Sequence, residues 1–240
     1  MMRLDLYLSK TQNLSRNQAQ ALIKASFVKV ENRIVKKVSF QTVGDEKIEI
    51  LKDKIYVSRA GDKLNLFLQN RDIKISDLEI LDVGASTGGF TEVLLENGAK
   101  NITALDVGTL QLSEKLKNDT RVISIEKMDI RKFKNATKFD LITCDVSFIS
   151  LLSIVDSLDR LANNKLILLF KPQFEVGKDI KRDRNGVILD KIAVEQSLEK
   201  FLKTVKKMFS WKLLTSEKSK LKGKEGNEEI FLYFKKEVDK

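Results

Sequence analysis

The stretch Leu81-Asp82-Val83-Gly84-Ala85-Ser86-Thr87-Gly88-Gly89-Phe90-Thr91 sets three glycines between an apolar run ending at Leu81 and an amphipathic run beginning at Phe90. That order predicts a strand, a tight turn and a helix. Gly84, Gly88 and Gly89 lack Cβ atoms, so their backbone can take φ > 0 and admit a ligand at contact distance. The helix N-terminus adds N–H groups that have no intrahelical acceptor. The spacing is Gly-x-x-x-Gly-Gly, whereas dinucleotide sites use Gly-x-Gly-x-x-Gly, and Asp82 stands two residues before the first glycine. A carboxylate there repels a pyrophosphate and suits the cationic amino acid end of S-adenosylmethionine. Asp82, Gly84, Ser86, Gly88, Gly89 and Phe90 are therefore the expected cradle for that cofactor, with a plain tight turn as the competing reading.

The surrounding elements have to bring charged groups to this turn. Strand patterns fall at 80–83, 101–105, 122–125, 139–144, 165–170, 211–214 and 229–234, and helix patterns at 91–97, 108–116, 152–161 and 192–209. Such alternation predicts an α/β fold with a Rossmann-like, mostly parallel, doubly wound sheet. Ligands on such sheets bind beyond the carboxyl ends of the strands. Asp82, Asp106, Asp145 and Lys171 all end strands, and Asp129 lies in the loop after the third. An acid at the position of Asp106 takes the two ribose hydroxyls of an adenosine cofactor. Asp129 is placed to accept from an adenine amino group, and the adjacent Val107 and Ile130 complete the expected cofactor set. The loop 177–186, with Lys178, Lys181, Arg182 and Arg184, reads either as a basic flap over substrate or as an ordinary surface loop.

Composition narrows the chemistry. The 240 residues carry a formal charge of +10, and residues 1–58 hold eleven Lys or Arg against six Asp or Glu. Such an excess suits a polyanionic partner, compositional lysine bias being the bland alternative. There is no histidine and one cysteine, Cys144. That excludes an imidazole-activated nucleophile, an intrachain disulfide and a cysteine-cage zinc site, so catalysis has to rest on carboxylates, amines and positioning. No metal is expected. With no apolar run near the ~18 residues of a membrane span and no signal-peptide core, the expectation is a cytoplasmic monomer without a membrane partner.

Toward the N-terminus, a short helix begins at Arg3–Leu8, and Ser15 with Gln18 forms a capping box that opens a second helix to about Ser26. Short strands follow at Phe27–Val30, Ile34–Val35 and Lys47–Ile50, with turns at Glu31-Asn32 and Gly44-Asp45. Residues 1–50 form one domain, 51–58 read as a linker, and 59–240 form the second domain, opening with a helix from Lys63 to Gln69. Two helices and short strands with cations interspersed resemble the small RNA-binding domain first known from ribosomal protein S-four. That resemblance implies that the second helix and the adjoining strand turn face RNA phosphates. It selects Arg16, Lys24, Lys29 and Arg33, with Arg3, Lys36 and Arg59 as further RNA-binding cations.

Several motifs then occur in one order: Gly-Ala-Ser-Thr-Gly-Gly-Phe-Thr, Asp106-Val107-Gly108, Cys144-Asp145-Val146-Ser147-Phe148-Ile149-Ser150, Lys171-Pro172-Gln173-Phe174-Glu175 and Gly226-Asn227-x-Glu229. Together they resemble the TlyA (haemolysin A) family, whose second domain is similar to FtsJ-type enzymes. The resemblance implies an S-adenosylmethionine-dependent 2′-O-methyltransferase of ribosomal RNA, with a cytidine ribose as target and ribosomal subunits as partners. It also implies a catalytic tetrad at Lys63, Asp145, Lys171 and Glu229, all four unsubstituted here. Thr87 stands where FtsJ-type enzymes tend to have proline.

The tetrad suits that chemistry. Methyl transfer to a ribose hydroxyl is an in-line displacement, and the weakly acidic alcohol has to lose its proton at or near the transition state. Two lysines beside a sulfonium repel one another, which makes a neutral amine available as base. Lys171 is the first choice for that base, Asp145 its orienter, and Lys63 and Glu229 position the hydroxyl. Competing readings are an NAD-dependent dehydrogenase, disfavoured by the glycine spacing, and a base-modifying methyltransferase, disfavoured by Cys144-Asp145-Val146-Ser147-Phe148 at the acceptor loop. A non-catalytic RNA-binding or ribosome-assembly factor, and the pore-forming protein that the haemolysin label suggests, are the readings from other classes.

Overall fold

The computed structural model describes residues 1–12, 14–69 and 71–237. They divide into two compact units, Met1–Arg59 and Ala60–Lys240. The first unit runs β1 (Met2–Arg3), α1 (Leu4–Thr11), α2 (Arg16–Lys24), β2 (Val28–Val30), β3 (Arg33–Ile34), β4 (Gln41–Thr42) and β5 (Ile48–Ile50). Leu4, Leu8, Ala19, Leu22 and Ile23 recur at helical spacing on α1 and α2 and bury against Val28 and Val30. Ser15 caps α2 as its spacing predicts: the Gln18 N–H donates to Ser15 Oγ at 3.2 Å and the Ser15 N–H to Gln18 Oε1 at 2.7 Å. Glu31 and Asn32 both have positive φ, the mirror-image two-residue turn whose twist suits the β2–β3 hairpin. Residues 51–57 form no regular element. Ile55 packs against the core of this unit, and the Tyr56 carbonyl accepts from Gln18 Nε2.

The next elements are α3 (Arg59–Leu68), β6 (Glu79–Val83), α4 (Gly89–Glu96), β7 (Asn101–Leu105), α5 (Glu114–Lys117), β8 (Val122–Ile125) and β9 (Phe139–Cys144). After a 3₁₀ turn at Leu151–Ser153 come α6 (Val155–Leu161), β10 (Ala162–Phe170), α7 (Pro172–Glu175), α8 (Lys191–Met208), β11 (Trp211–Lys218) and β12 (Ile230–Lys236). Seven strands form one sheet in the order β11-β12-β10-β9-β6-β7-β8. The five from β10 to β8 are parallel, and β12 alone is reversed, pairing antiparallel with both β10 and β11, so the sheet is mostly parallel. Leu166–Phe170 on β10 and Ile230–Phe234 on β12 are buried without alternation, as strands covered on both faces require.

One expected helix shrinks. The 108–116 pattern is helical only at Glu114–Lys117, because side-chain carboxylates intercept the preceding backbone. Asp106 takes the N–H of Gly108 and Glu126 that of Leu110, and Leu110 has φ +51. Among the described residues, no helix is long and apolar enough to cross a membrane.

Candidate active site

The sheet register brings three of the four tetrad residues to one rim. Cys144 pairs with Val83 on β6 and with Leu168 on β10, so Asp145 leaves β9 beside the end of β10. Phe170 pairs with Ile230, and one step beyond that pair stand Lys171, just after β10, and Glu229, just before β12. Lys171 Nζ lies 2.6 Å from Asp145 Oδ1, a close ion pair without an aligned hydrogen bond, and donates to Ser147 Oγ at 2.9 Å. Lys63 arrives from α3, its Nζ donating to Glu229 Oε2 at 2.6 Å in a nearly solvent-free pair. Phe67, one helical turn after Lys63, stacks on Phe231, two residues after Glu229, with centroids 4.4 Å apart. Glu229 also rests on Gly223, where an added Cβ would fall 2.6 Å from Oε1.

The glycine turn has the expected backbone, with φ of +78 at Gly84, +49 at Ser86 and +94 at Gly88, and it feeds α4. Two of its glycines admit the protein itself. A Cβ on Gly84 would lie 2.8 Å from the Asp145 carbonyl oxygen, and one on Gly88 would meet the Leu112 and Leu116 side chains. Asp106 ties the turn to the next loop: Oδ2 accepts from the Ser86 N–H at 2.8 Å and Oδ1 from the Gly108 N–H at 2.7 Å. A carboxylate has lone pairs beyond these two, so acceptor capacity remains at Asp106. Val107 beside it is 71% exposed. A positive-φ turn, a helix N-terminus, an acid with spare acceptor capacity and an apolar neighbour together fit an adenosine-type cofactor.

Four expected cofactor contacts take other partners. Asp82 is fully buried and accepts from Thr91 Oγ1 at 2.7 Å and Thr143 Oγ1 at 2.8 Å, so it presents no accessible atom and instead fastens β6 to α4 and β9. Burial pushes its carboxyl up to about 6 against those two hydrogen bonds. Phe90 points into the core, 6.2 Å from the Phe231 ring. Ile130 is a core residue. Asp129 has both oxygens taken by Arg131, whose guanidinium holds its carboxyl down at about 2.

In the first unit, Arg3 and Arg16 converge on the buried Asp5, at 3.0 and 2.9 Å, with Gln20 at 2.8 Å. The Arg3 hydrogen bond holds the Asp5 carboxyl well below the usual carboxylate range. Lys24, Arg33, Lys36 and Arg59 are exposed and Lys29 half-buried. Cys144 is fully buried, and burial pushes its thiol far above the usual range.

Sequence reasoning left Ser147, Phe148 and Glu175 without roles, although each stands in a quoted motif. Glu175 accepts from Ser150 Oγ at 2.6 Å and the Leu151 N–H at 2.8 Å, holding the loop that bears Ser147. Phe148 is 91% exposed on a backbone of φ +66, its ring 5.2 Å from that of Phe174. The available signal was position: the loop after β9 faces the turn after β10.

Comparison with known proteins gives two family matches, an FtsJ-like methyltransferase over residues 56–236 and an S4 domain over residues 2–46. A 23S rRNA (cytidine-2′-O)-methyltransferase TlyA of Campylobacter jejuni is 46% identical, covering 97% of this chain and 99% of its own. A 16S/23S rRNA (cytidine-2′-O)-methyltransferase TlyA of Mycobacterium tuberculosis is 34% identical, covering 94% and 86%. A solved structure named as a hemolysin, from Streptococcus thermophilus, superposes with a TM-score of 0.75 at 31% identity, covering 98% of this chain and 88% of that one.

Proposed function

We infer the function of this chain from its membership: it belongs to the FtsJ-like methyltransferase family, carries an S4 domain, and groups with TlyA proteins. It is an S-adenosylmethionine-dependent 2′-O-methyltransferase of ribosomal RNA, acting on a cytidine ribose. The observation that carries this reading is the convergence of Asp145, Lys171, Lys63 and Glu229 at the carboxyl rim, beside the glycine turn. When bound, S-adenosylmethionine supplies an activated methyl group to a nucleophilic oxygen. Gly84, Ser86, Asp106 and Val107 are the residues that hold it, while Asp82 acts from beneath by fixing the turn.

Lys171, in its neutral amine form, takes the proton of the ribose hydroxyl at Nζ, and the ammonium so formed is the one paired with Asp145. Asp145 and Ser147 fix that nitrogen from two sides, which limits the directions from which a hydroxyl can reach it. The Lys63–Glu229 pair orients the same hydroxyl, and alignment of oxygen with methyl carbon supplies much of the rate. Exposed cations of the first unit neutralise RNA phosphates, with ribosomal subunits as the partner and the protein acting as a monomer. The target nucleotide leaves its helix to reach the rim.

The test is transfer of labelled methyl groups to unmethylated ribosomes and free subunits, wild type against Lys171→Ala, followed by mapping of the nucleotide. Incorporation at a cytidine 2′-oxygen that Lys171→Ala abolishes while cofactor binding survives supports both the activity and the base. Cofactor binding without incorporation into any ribosomal substrate overturns the choice of RNA.

A further inference from the structure

The connection from β11 to β12 folds back on itself before it delivers Glu229. The Ser219 N–H donates to the Glu229 carbonyl at 2.8 Å, the Gly223 N–H to the Asn227 carbonyl at 2.9 Å, and the Gly226 N–H to the Gly223 carbonyl at 3.0 Å. Asn227 is 3% exposed, yet its side chain makes no bond within this loop. Oδ1 accepts from the Ile188 N–H at 3.0 Å and Nδ2 donates to the Gly186 carbonyl at 3.2 Å. One amide side chain thus takes a main-chain donor and a main-chain acceptor of the distant 186–188 segment, as a neighbouring strand would. Val187, between those two residues, packs against Gly226, where a Cβ would come within 3.4 Å of Cγ2.

The partner segment is itself fixed. Arg182 and Ile188 form an antiparallel bridge, Asp183 takes the N–H groups of Asn185 and Val187, and the Arg182 guanidinium gathers the carbonyls of Lys178 and Ile180. This hairpin follows α7, which follows Lys171, and it ends where Asp190 caps α8. Its cations Lys178, Lys181, Arg182 and Arg184 stand among Asp179, Asp183 and Asp190, so the hairpin is less a basic flap than a folded brace. Asn227 joins the segment that leaves Lys171 to the loop that ends in Glu229.

We propose that Asn227 is a positioning residue: by clamping the 181–189 hairpin to the β11–β12 loop it holds the Glu229 carboxylate over Gly223 and against Lys63. The role rests on the methyltransferase reading given above. A buried amide bonded on both ends to main chain restrains its own backbone, and Glu229 is two residues away.

The test uses the full chain with the labelled methyl donor and ribosomal substrate, in four forms: wild type, Asn227→Ala, Glu229→Gln and the double variant, with Asn227→Asp as the conservative partner. Asn227→Ala is expected to lower kcat by about 100-fold, the scale of a misplacement near 1 Å, with KM for RNA and Kd for cofactor changed less than about twofold. Asn227→Asp keeps the acceptor for Ile188 but turns an oxygen toward the Gly186 carbonyl in place of the Nδ2 donor, so it recovers only part of that loss. In the Glu229→Gln background Asn227→Ala costs little more, because the group it places has already been removed. Equal losses in both backgrounds, an unchanged kcat, or a loss confined to RNA KM each overturn the positioning role while leaving the enzyme assignment intact. A wild type that transfers no methyl group to ribosomal substrate overturns the assignment, and the proposal falls with it.

Discussion

Two lysine–carboxylate pairs close to 2.6 Å at the same rim, and they are built in different ways. Lys171 and Asp145 end adjacent parallel strands, so the hydrogen-bond ladder of β9 and β10 sets their separation. Lys63 and Glu229 lie 166 residues apart, on a helix and in the loop just before a strand, and the Phe67–Phe231 stack beside them sets their separation. The first pair inherits its geometry from the main chain and its acid keeps some solvent contact; the second depends on side-chain packing and its acid is almost sealed, the two lysines being about equally buried. A sheet-built pair should therefore lose function more readily than stability, and a packing-built pair should lose both.

The largest effect sharpens the sheet-built side. Lys171→Ala is expected to reduce kcat by about 10³- to 10⁴-fold in single-turnover methyl transfer, the upper part of the range for a lost general base, with cofactor affinity retained. Next, Lys63→Ala leaves Glu229 buried opposite nothing, which costs about 3–5 kcal/mol in urea unfolding. Lys171→Ala should cost clearly less, because Asp145 is the more solvent-accessible acid. Equal losses of stability would break the comparison.

Phe231→Ala removes the stack and is expected to destabilise by about 3–5 kcal/mol, lowering activity through the second pair while the Lys171–Asp145 spacing holds. Smaller still is the effect of Asp82. Its carboxyl rises from 3.8 to about 6 on folding, so the folded chain holds this proton more tightly than the unfolded chain. The stability it contributes is complete below pH about 4 and lost as pH rises through about 6, a change of about 3 kcal/mol. In urea titrations from pH 4 to 7, wild type should weaken by that amount relative to Asp82→Asn. The smallest effect is at Ser147: Ser147→Ala removes one hydrogen bond to Lys171 and should lower kcat about fivefold, near 1 kcal/mol.

The same contrast explains what could be read from residues alone. Strand positions, the capping box at Ser15 and the placing of Asp145 and Lys171 at strand ends follow from local pattern, because a parallel ladder converts sequence position into spatial position. Lys63 and Glu229 carry no local sign of pairing and were reached only through family resemblance. Direction was also hidden. Strands of a covered parallel sheet are apolar on both faces, so no alternation shows that Asp82 turns inward. Phe90 opens a helix whose residues Gly89–Leu95 are all buried, which gives no polar face to orient it. Arg3 and Arg16 read as free cations because the buried acid they serve, Asp5, lies two residues from one and eleven from the other. The 108–116 segment looked helical because its competing acceptors, Asp106 and Glu126, lie outside the window in which propensity is judged.

The burial of Cys144 has a practical side. As the only cysteine of the chain, sealed within β9 and held as the unreactive thiol, it leaves the native protein silent toward alkylating reagents while folded. A single cysteine placed on an exposed residue, such as Lys178 on the hairpin or Arg33 on the first unit, would be the one site to accept a fluorophore or spin label. With one such cysteine on each unit, distances between the two units are measurable without first stripping the protein of its own thiol.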